Sequence, residues 1–324
     1  MTAVTAHNEK LLPLPTNAEE LERCLADPEW RLFSGCLYKI MIKGDDGEVT
    51  AVIPFKPNRA QRRFVARLWH RNLILKARQL GFTTLIAIMF LDHALFNANQ
   101  RCGIVAQDRD TAESIFADKV KFAYDNLPEE IRERFPLGKD SAIQLKFAHN
   151  NSSIRVSTSM RGGTIHRLLV SEFGKICAKY PDKAAEVVTG SIPAVPLNGV
   201  LVIESTAEGR EGEFFDMTER AQKLVTDKVP LTPKDYRFHF YAWWQEPKYR
   251  LPAGTVQVSD KDHEYFDLVE SAMGCKIDLD QRAWYVATRD SDFSGAEEKM
   301  WQEYPSTPAE AFQVSTAGNY YAKD

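Results

Sequence analysis

The chain has 324 residues, enough for one large or two medium domains with ample volume for a core. Its 44% hydrophobic and 27% charged content is ordinary for a globular protein, and a net charge of −4 argues against a wholesale basic nucleic-acid coat. Five scattered cysteines with no C-x-x-C pair argue against a zinc site and point to reduced thiols in a cytosolic compartment. The longest apolar run, residues 85–91, is far too short to span a bilayer, and residues 1–20 lack a signal pattern, so a soluble intracellular protein is expected.

In chain order, residues 1–30 read as a polar arm with a short helix at 18–25. Apolar runs at 37–42 and 49–55 flank Lys43-Gly-Asp-Asp-Gly47, a hairpin pattern. A basic helix follows from Asn58 to about His70, with Asn58 as N-cap. Between Val49 and Leu91 there is no acid, while Lys56, Arg59, Arg62, Arg63, Arg67, Arg71, Lys76 and Arg78 fall inside. That is either a solvated helix face or a polyanion-facing surface. Further strands are expected at 102–107, 143–147, 153–157, 168–172 and 200–206, with amphipathic helices at 109–126 and 212–225. Strands that are nearly continuous apolar runs, alternating with helices, indicate a parallel sheet covered on both faces. Such sheets bind ligands at the carboxyl ends of their strands. An aromatic strand at 236–244 precedes helices at 260–273, 279–288 and 295–303, read as a smaller helical subdomain.

The stretch around which the chain is organised is Asn72-Leu-Ile-Leu-Lys-Ala-Arg-Gln-Leu-Gly-Phe-Thr-Thr84. It reads as a buried strand (Leu73, Ile74, Leu75), a tight turn at Gly81, and a helix starting at Thr83 or Thr84. Such a turn aims the unpaired N–H groups of the first helical turn at one point, which makes an anion site. Against the Walker pattern G-x-x-x-x-G-K-[ST] only Gly81 and Thr83 match; Lys76 stands at the first glycine and Phe82 at the lysine. On two matches alone an ordinary strand–turn–helix is the simpler reading. Lys76 and Arg78 can still bring a cation to β/γ-phosphates, the latter by bidentate contact. Gln61 carries a carboxamide able to pair with the N6/N7 edge of adenine, or is a surface glutamine.

Glu172 ends a strand of aliphatic residues, where an unpaired acid is costly to bury. It is either a capped structural residue or a base that orients water against a γ-phosphate. The preceding position, which usually carries a metal-ordering aspartate, is Ser171. Arg161 lies in a glycine-flanked loop and is either a surface residue or a finger that neutralises transition-state charge. Ser205 and Thr206 end the next strand with hydroxyls able to sense a γ-phosphate.

Together, Lys76-Ala-Arg-Gln-Leu-Gly-Phe-Thr-Thr84, Met160-Arg-Gly-Gly-Thr164, Leu168-Leu-Val-Ser-Glu-Phe173 and Glu204-Ser-Thr-Ala-Glu-Gly209 resemble the ATPase domain of the large terminase subunit of tailed bacteriophages, over residues 50–320. Glu303-Tyr-Pro-Ser-Thr-Pro-Ala-Glu-Ala-Phe312 looks like the segment leading out of that domain. The resemblance implies a P-loop NTPase of the additional-strand, catalytic-glutamate type. Its central, mostly parallel sheet is flanked by helices over 31–230, and a small, mainly helical subdomain covers 231–324. It implies ATP and Mg²⁺ as ligands, with Gln61, Lys76, Arg78, Gln79, Leu80, Gly81, Phe82, Thr83 and Thr84 around the nucleotide. Thr83 would hold Mg²⁺, with Glu172 acting on it through water. Glu172, Arg78 and Arg161 would be catalytic, and Ser205, Thr206 and Ala207 would couple hydrolysis to movement.

Implied partners are double-stranded DNA, the portal protein, the small terminase subunit and a homo-oligomeric ring, with a monomer in isolation left open and no membrane. The implied location is the host-cell cytoplasm, transiently at the procapsid portal. The family's C-terminal nuclease domain has no room before Asp324, so DNA cleavage is not expected. Two alternatives stay open: a helicase-like nucleic-acid-stimulated ATPase, and a catalytically weak scaffold that binds DNA or portal, suggested by Phe82 and Ser171.

Overall fold

The computed structural model describes residues 12, 14–43 and 49–313. The N-terminal segment forms α1 (Ala18–Ala26), capped by the Asn17 side chain, and α2 (Pro28–Phe33), capped by Asp27 with proline at its first position. Strands β1 (Lys39–Lys43) and β2 (Val49–Pro54) pair antiparallel as the hairpin pattern predicts; its turn lies outside the described residues. The basic helix α3 (Arg59–Ala66) is shorter than expected. The Asn72 side chain accepts from Trp69 N (3.0 Å) and donates to Trp69 O (2.7 Å), which turns the chain out of the helix and into β3 (Arg71–Lys76).

Helix α4 (Phe82–Phe96) is apolar all round and largely buried. After β4 (Arg101–Val105) the expected long helix is broken into α5 (Arg109–Ile115), a π-helical stretch at Phe116–Lys121, and α6 (Phe122–Asp125). Next come α7 (Glu129–Arg134), β5 (Leu137–Ser141), β6 (Gln144–Phe147) and β7 (Ser153–Ser157). The strand β5 escapes sequence reading because its side chains are polar and largely exposed, which leaves no period-2 apolar signal. The remaining elements are β8 (Arg167–Ser171), α8 (Phe173–Lys179), α9 (Pro181–Glu186) with a π-helical extension to Ser191, β9 (Val200–Ser205), α10 (Glu213–Thr226), β10 (Tyr236–Tyr241), α11 (Asp260–Met273), α12 (Leu279–Asp292), α13 (Glu297–Glu303) and α14 (Pro308–Ala311).

The chain divides into two compact units. One gathers residues through Arg59, Thr84–Cys102 and Glu113–Val156; the other gathers Ala60–Thr83, Gly103–Ala112 and the residues from Ser157 on. In the first unit, β5, β6 and β7 form an antiparallel meander. Its N-terminal helices are tied down by a buried Arg31–Asp92 pair, bidentate at 2.8 and 2.9 Å. Tyr38 adds a hydrogen bond to the same carboxylate, and Arg31 stacks over Phe96.

In the second unit the strand order is β10-β3-β9-β8-β4, with β10, β3, β9 and β8 paired in parallel. All of β3 beyond Arg71, and all of β8 and β9 beyond their first residues, is buried. Helices α8 and α10 cover the sheet with Phe173, Ile176, Phe214 and Ala221. The aromatic strand expected at 236–244 is β10 over Tyr236–Tyr241 only, paired with β3 along its whole length, and Trp243–Gln245 forms a 3-10 turn instead.

The segment after Glu303 is stitched down by polar contacts inside an aromatic cluster. Ser306 Oγ accepts from Trp243 Nε1 (2.8 Å), and Ser306 O accepts from Trp244 Nε1 (3.0 Å). Glu310 accepts from the Ser306 N–H and from the Tyr265 hydroxyl. Burial pushes the Glu310 carboxyl up to about 7, against those hydrogen bonds. An unfolded glutamate titrates near ~4.3. Between the two values the folded chain holds the extra proton, so this group's contribution to stability falls as pH rises toward 7 and then levels. Glu310→Gln is therefore expected to flatten the decline of the urea midpoint between about pH 5 and 8 relative to wild type. Parallel profiles for the two proteins would show that no buried proton is held there.

Candidate nucleotide site

Three strand ends of the second unit meet in one polar cluster. β3 ends at Lys76, whose ammonium is 5% exposed and lies 3.3 Å from Glu172 Oε1 and 3.1 Å from Glu204 Oε2. Glu204 is fully buried near the end of β9, in register with Ile74 of β3 and Ser171 of β8. Its Oε1 accepts from Thr83 Oγ1 at 3.0 Å and from Ser171 Oγ at 2.7 Å. Glu172 stands just past β8 as the N-cap of α8, in the left-handed region at φ 54°, and its Oε2 lies 3.2 Å from Lys175 Nζ. A non-glycine residue held there stores strain, which is typical of side chains aimed for a task.

The charges answer one another. Burial alone would draw the Lys76 ammonium down, but Glu204 and Glu172 outweigh it and hold its pKa above the usual lysine value. Burial would raise the Glu172 carboxyl, but Lys76 and then Lys175 outweigh that and keep it below the usual range. Glu172 is thus ionised at neutral pH.

The loop from Ala77 to Gly81 is braced from several sides. Ala77 N donates to Tyr241 O, Arg78 N to Glu303 O (both 2.9 Å), and Tyr249 OH to Arg78 O (2.8 Å). Gly81 has φ +72°, and a Cβ there would meet Gln61 Nε2 at 2.8 Å, so the turn requires glycine. Gln79 also has positive φ, is exposed, and precedes the buried Leu80.

The sequence-predicted residues fall into three groups. Lys76, Thr83 and Glu172 are brought together through Glu204 and Lys76 itself. Gln61 is 5% exposed and donates to Gly81 O at 2.9 Å, so its carboxamide supports the turn. Phe82 is 1% exposed; its ring packs edge-on against Phe64 (5.8 Å) and lies 4.5 Å from Tyr241, leaving only its backbone N–H for a ligand. Thr84 follows, half-buried, in α4. Arg78 is half-exposed and pairs with Glu303 at 3.5 Å, and Arg161 pairs with Glu186 at 3.0 Å, so neither guanidinium joins the cluster. Ser205, Thr206 and Ala207 are buried, and the hydroxyls of Ser205 and Thr206 have no hydrogen-bond partner. Gly174 lets α8 approach them: a Cβ there would meet Thr206 O at 2.8 Å and Ser205 Oγ at 2.9 Å.

Sequence reading passed over Glu204, Lys175 and Glu303. The signal for Glu204 was present, since an acid closing the apolar run 200–203 is as costly to bury unpaired as Glu172. Among the described residues no group of three or more His, Cys, Asp or Glu is arranged to hold a metal, and no helix is long and apolar enough to cross a membrane. All five cysteines are free thiols.

A glycine turn from a buried strand into a helix, with β9 inserted between β3 and β8, defines an α/β P-loop NTPase fold of the additional-strand type. A solved structure shares this fold. The large terminase of bacteriophage HK97 matches at TM-score 0.52 and 17% identity, over 79% of this chain and 51% of that one. The large terminase ATPase domain of Thermus phage P74-26 matches at 0.48 and 15%, over 78% and 94%. A DEAD box protein from Methanococcus jannaschii matches at 0.37 and 15%, over 72% and 62%. At these identities the likeness is one of fold. No family model and no curated protein matches the sequence.

Because Phe82 faces the core, restoring a standard lysine there does not rebuild the motif. Phe82→Lys places an ammonium between Phe64 and Tyr241 and is expected to destabilise the fold by roughly 3 kcal/mol or more, without tightening nucleotide binding. Thermal unfolding and titration with a fluorescent nucleotide check both halves; tighter binding would mean that position 82 can reach the loop's ligand.

Proposed function

We propose that the chain is the ATPase motor of a DNA-packaging terminase, hydrolysing Mg-ATP to move double-stranded DNA into a procapsid. The observation that carries this reading is the meeting of Lys76 at the end of β3, Glu172 just past β8 and Thr83 in the first turn of α4 around Glu204 of the intervening β9, beside a glycine turn. The donor set fits a nucleotide: backbone N–H groups at the start of α4, a buried ammonium, a loop hydroxyl, and the free hydroxyls of Ser205 and Thr206.

In this reading the γ-phosphate draws Lys76 away from Glu172, which frees the carboxylate. Glu172 then orients a water for in-line attack on the γ-phosphorus and accepts its proton as the bond to the β-phosphate oxygen breaks, giving ADP and phosphate. Lys76 offsets charge on the transferring group. When bound, Mg²⁺ would neutralise charge on the phosphates, and Thr83 is the loop hydroxyl that would hold it. Arg78 and Arg161 must leave Glu303 and Glu186 to take part. Arg161, on an exposed loop, suits a finger acting on the neighbouring subunit of a ring.

A basic face supports a polyanion partner. Arg237 stacks over Trp69 at 4.6 Å and donates to Arg67 O, and Arg63 on α3 and Arg67 just past its end are exposed. Burial first, and then Arg67, Arg237 and Arg63, hold the nearby His239 imidazole down at about 3. Contacts of this type grip the phosphate backbone without reading sequence, as a translocating motor requires. The portal protein and small terminase subunit are the further partners this reading carries. The scaffold reading draws on Lys76 being satisfied by two acids and Arg78 by a third.

Steady-state ATP hydrolysis at high protein concentration separates these readings. Glu172→Gln is expected to lower kcat by about 10²–10⁴. Duplex DNA rather than single strands is expected to stimulate the wild type; the reverse preference favours a helicase-like enzyme. Wild-type turnover no greater than that of Glu172→Gln leaves the scaffold. Mixing Arg161→Ala with Glu172→Gln protein is expected to restore turnover, and failure to do so places the arginine's action within its own subunit.

A further inference from the structure

The residue before the catalytic-glutamate position is Ser171, which cannot order a metal as a carboxylate does. Yet a carboxylate is present at that spot. Glu204 reaches it from the neighbouring strand β9, one step across the sheet, because the parallel register sets it beside Ser171. Its Oε1 takes hydrogen bonds from both Ser171 and Thr83, the loop hydroxyl that fits Mg²⁺. Its Oε2 faces the Lys76 ammonium at 3.1 Å without an aligned hydrogen bond. The side chain is fully buried, so its charge requires a cation at every stage.

We propose that Glu204 is the metal-ordering carboxylate of the site, displaced from β8 to β9, with Lys76 as its counter-charge until nucleotide and metal arrive. Ser171 is then a hydrogen-bond donor that positions Glu204. Magnesium takes few protein ligands when phosphates supply the rest, so Thr83 with one buried carboxylate is a sufficient protein contribution. The exchange has a direct consequence. Lys76 is free to move to the phosphates only when a divalent cation replaces it beside Glu204, so nucleotide alone binds poorly. The inference rests on the nucleotide-site reading above.

The test measures the affinity of a fluorescent ADP analogue with Mg²⁺ and with EDTA, together with Mn²⁺ binding to the protein–nucleotide complex by EPR. Wild type is expected to bind more tightly with metal. Glu204→Gln is expected to lose about tenfold or more of that metal-dependent increment, and of Mn²⁺ affinity. Glu204→Asp keeps the charge beside Lys76 but is too short to reach Thr83, so it carries the test if the glutamine variant does not fold; a loss of about threefold or more is expected. In Ser171→Asp/Glu204→Gln the carboxylate returns to β8, and part of the increment should return with it. Wild-type binding with an increment unchanged in Glu204→Gln or Glu204→Asp overturns the assignment and leaves the nucleotide site standing. Absence of nucleotide binding in wild type, with or without metal, overturns both.

Discussion

A carboxylate fully buried between three parallel strands is the constraint on which the polar end of this sheet depends. Glu204 cannot be left unpaired, so Lys76, Thr83 and Ser171 are all turned toward it. That one requirement links β3, α4, β8 and β9. Any ligand entering the cluster meets charges that are already satisfied. Glu172 stands beside this arrangement, held in a left-handed backbone conformation and shared between Lys76 and Lys175.

The unusual loop follows from its packing. In place of a lysine, Phe82 sends its ring into an aromatic core with Phe64 and Tyr241, which binds the start of α4 to α3 and β10. Lys76 stands at the end of β3, six residues earlier in the chain, with its ammonium among the strand ends beside Glu172 and Glu204. Gln61 completes the turn by bonding its carbonyls, and the Glu303 backbone holds it from the C-terminal segment. That segment, through Ser306 and Glu310, is in turn locked into the aromatic cluster of α11 and α12. The loop therefore sits between an apolar anchor and a polar brace, both remote in sequence.

Much of the fold was legible because its signals are local. Buried parallel strands such as 200–205 are continuous apolar runs, and the helix expected at 260–273 is α11. Glu172 was legible as an acid ending such a run. Polar β5 was not, since an exposed edge strand carries no apolar period, and the π-helical stretch at Phe116–Lys121 looks like plain helix in sequence. Gln61 invited a ligand role from its chemistry, yet its carboxamide is spent on Gly81.

By itself the sequence determined the kind of fold, the glycine turn, and which polar residues end the strands, because period, burial cost and turn chemistry act over a few neighbouring residues. Only the tertiary structure decided which of those residues meet. Strand order β10-β3-β9-β8-β4 puts Glu204 between Lys76 and Ser171, although these lie far apart in the chain. It also assigns Arg78 to Glu303 and Arg161 to Glu186, away from the cluster. Electrostatic partnership falls off over a few ångströms and is blind to sequence separation, so it becomes visible only once the sheet is assembled.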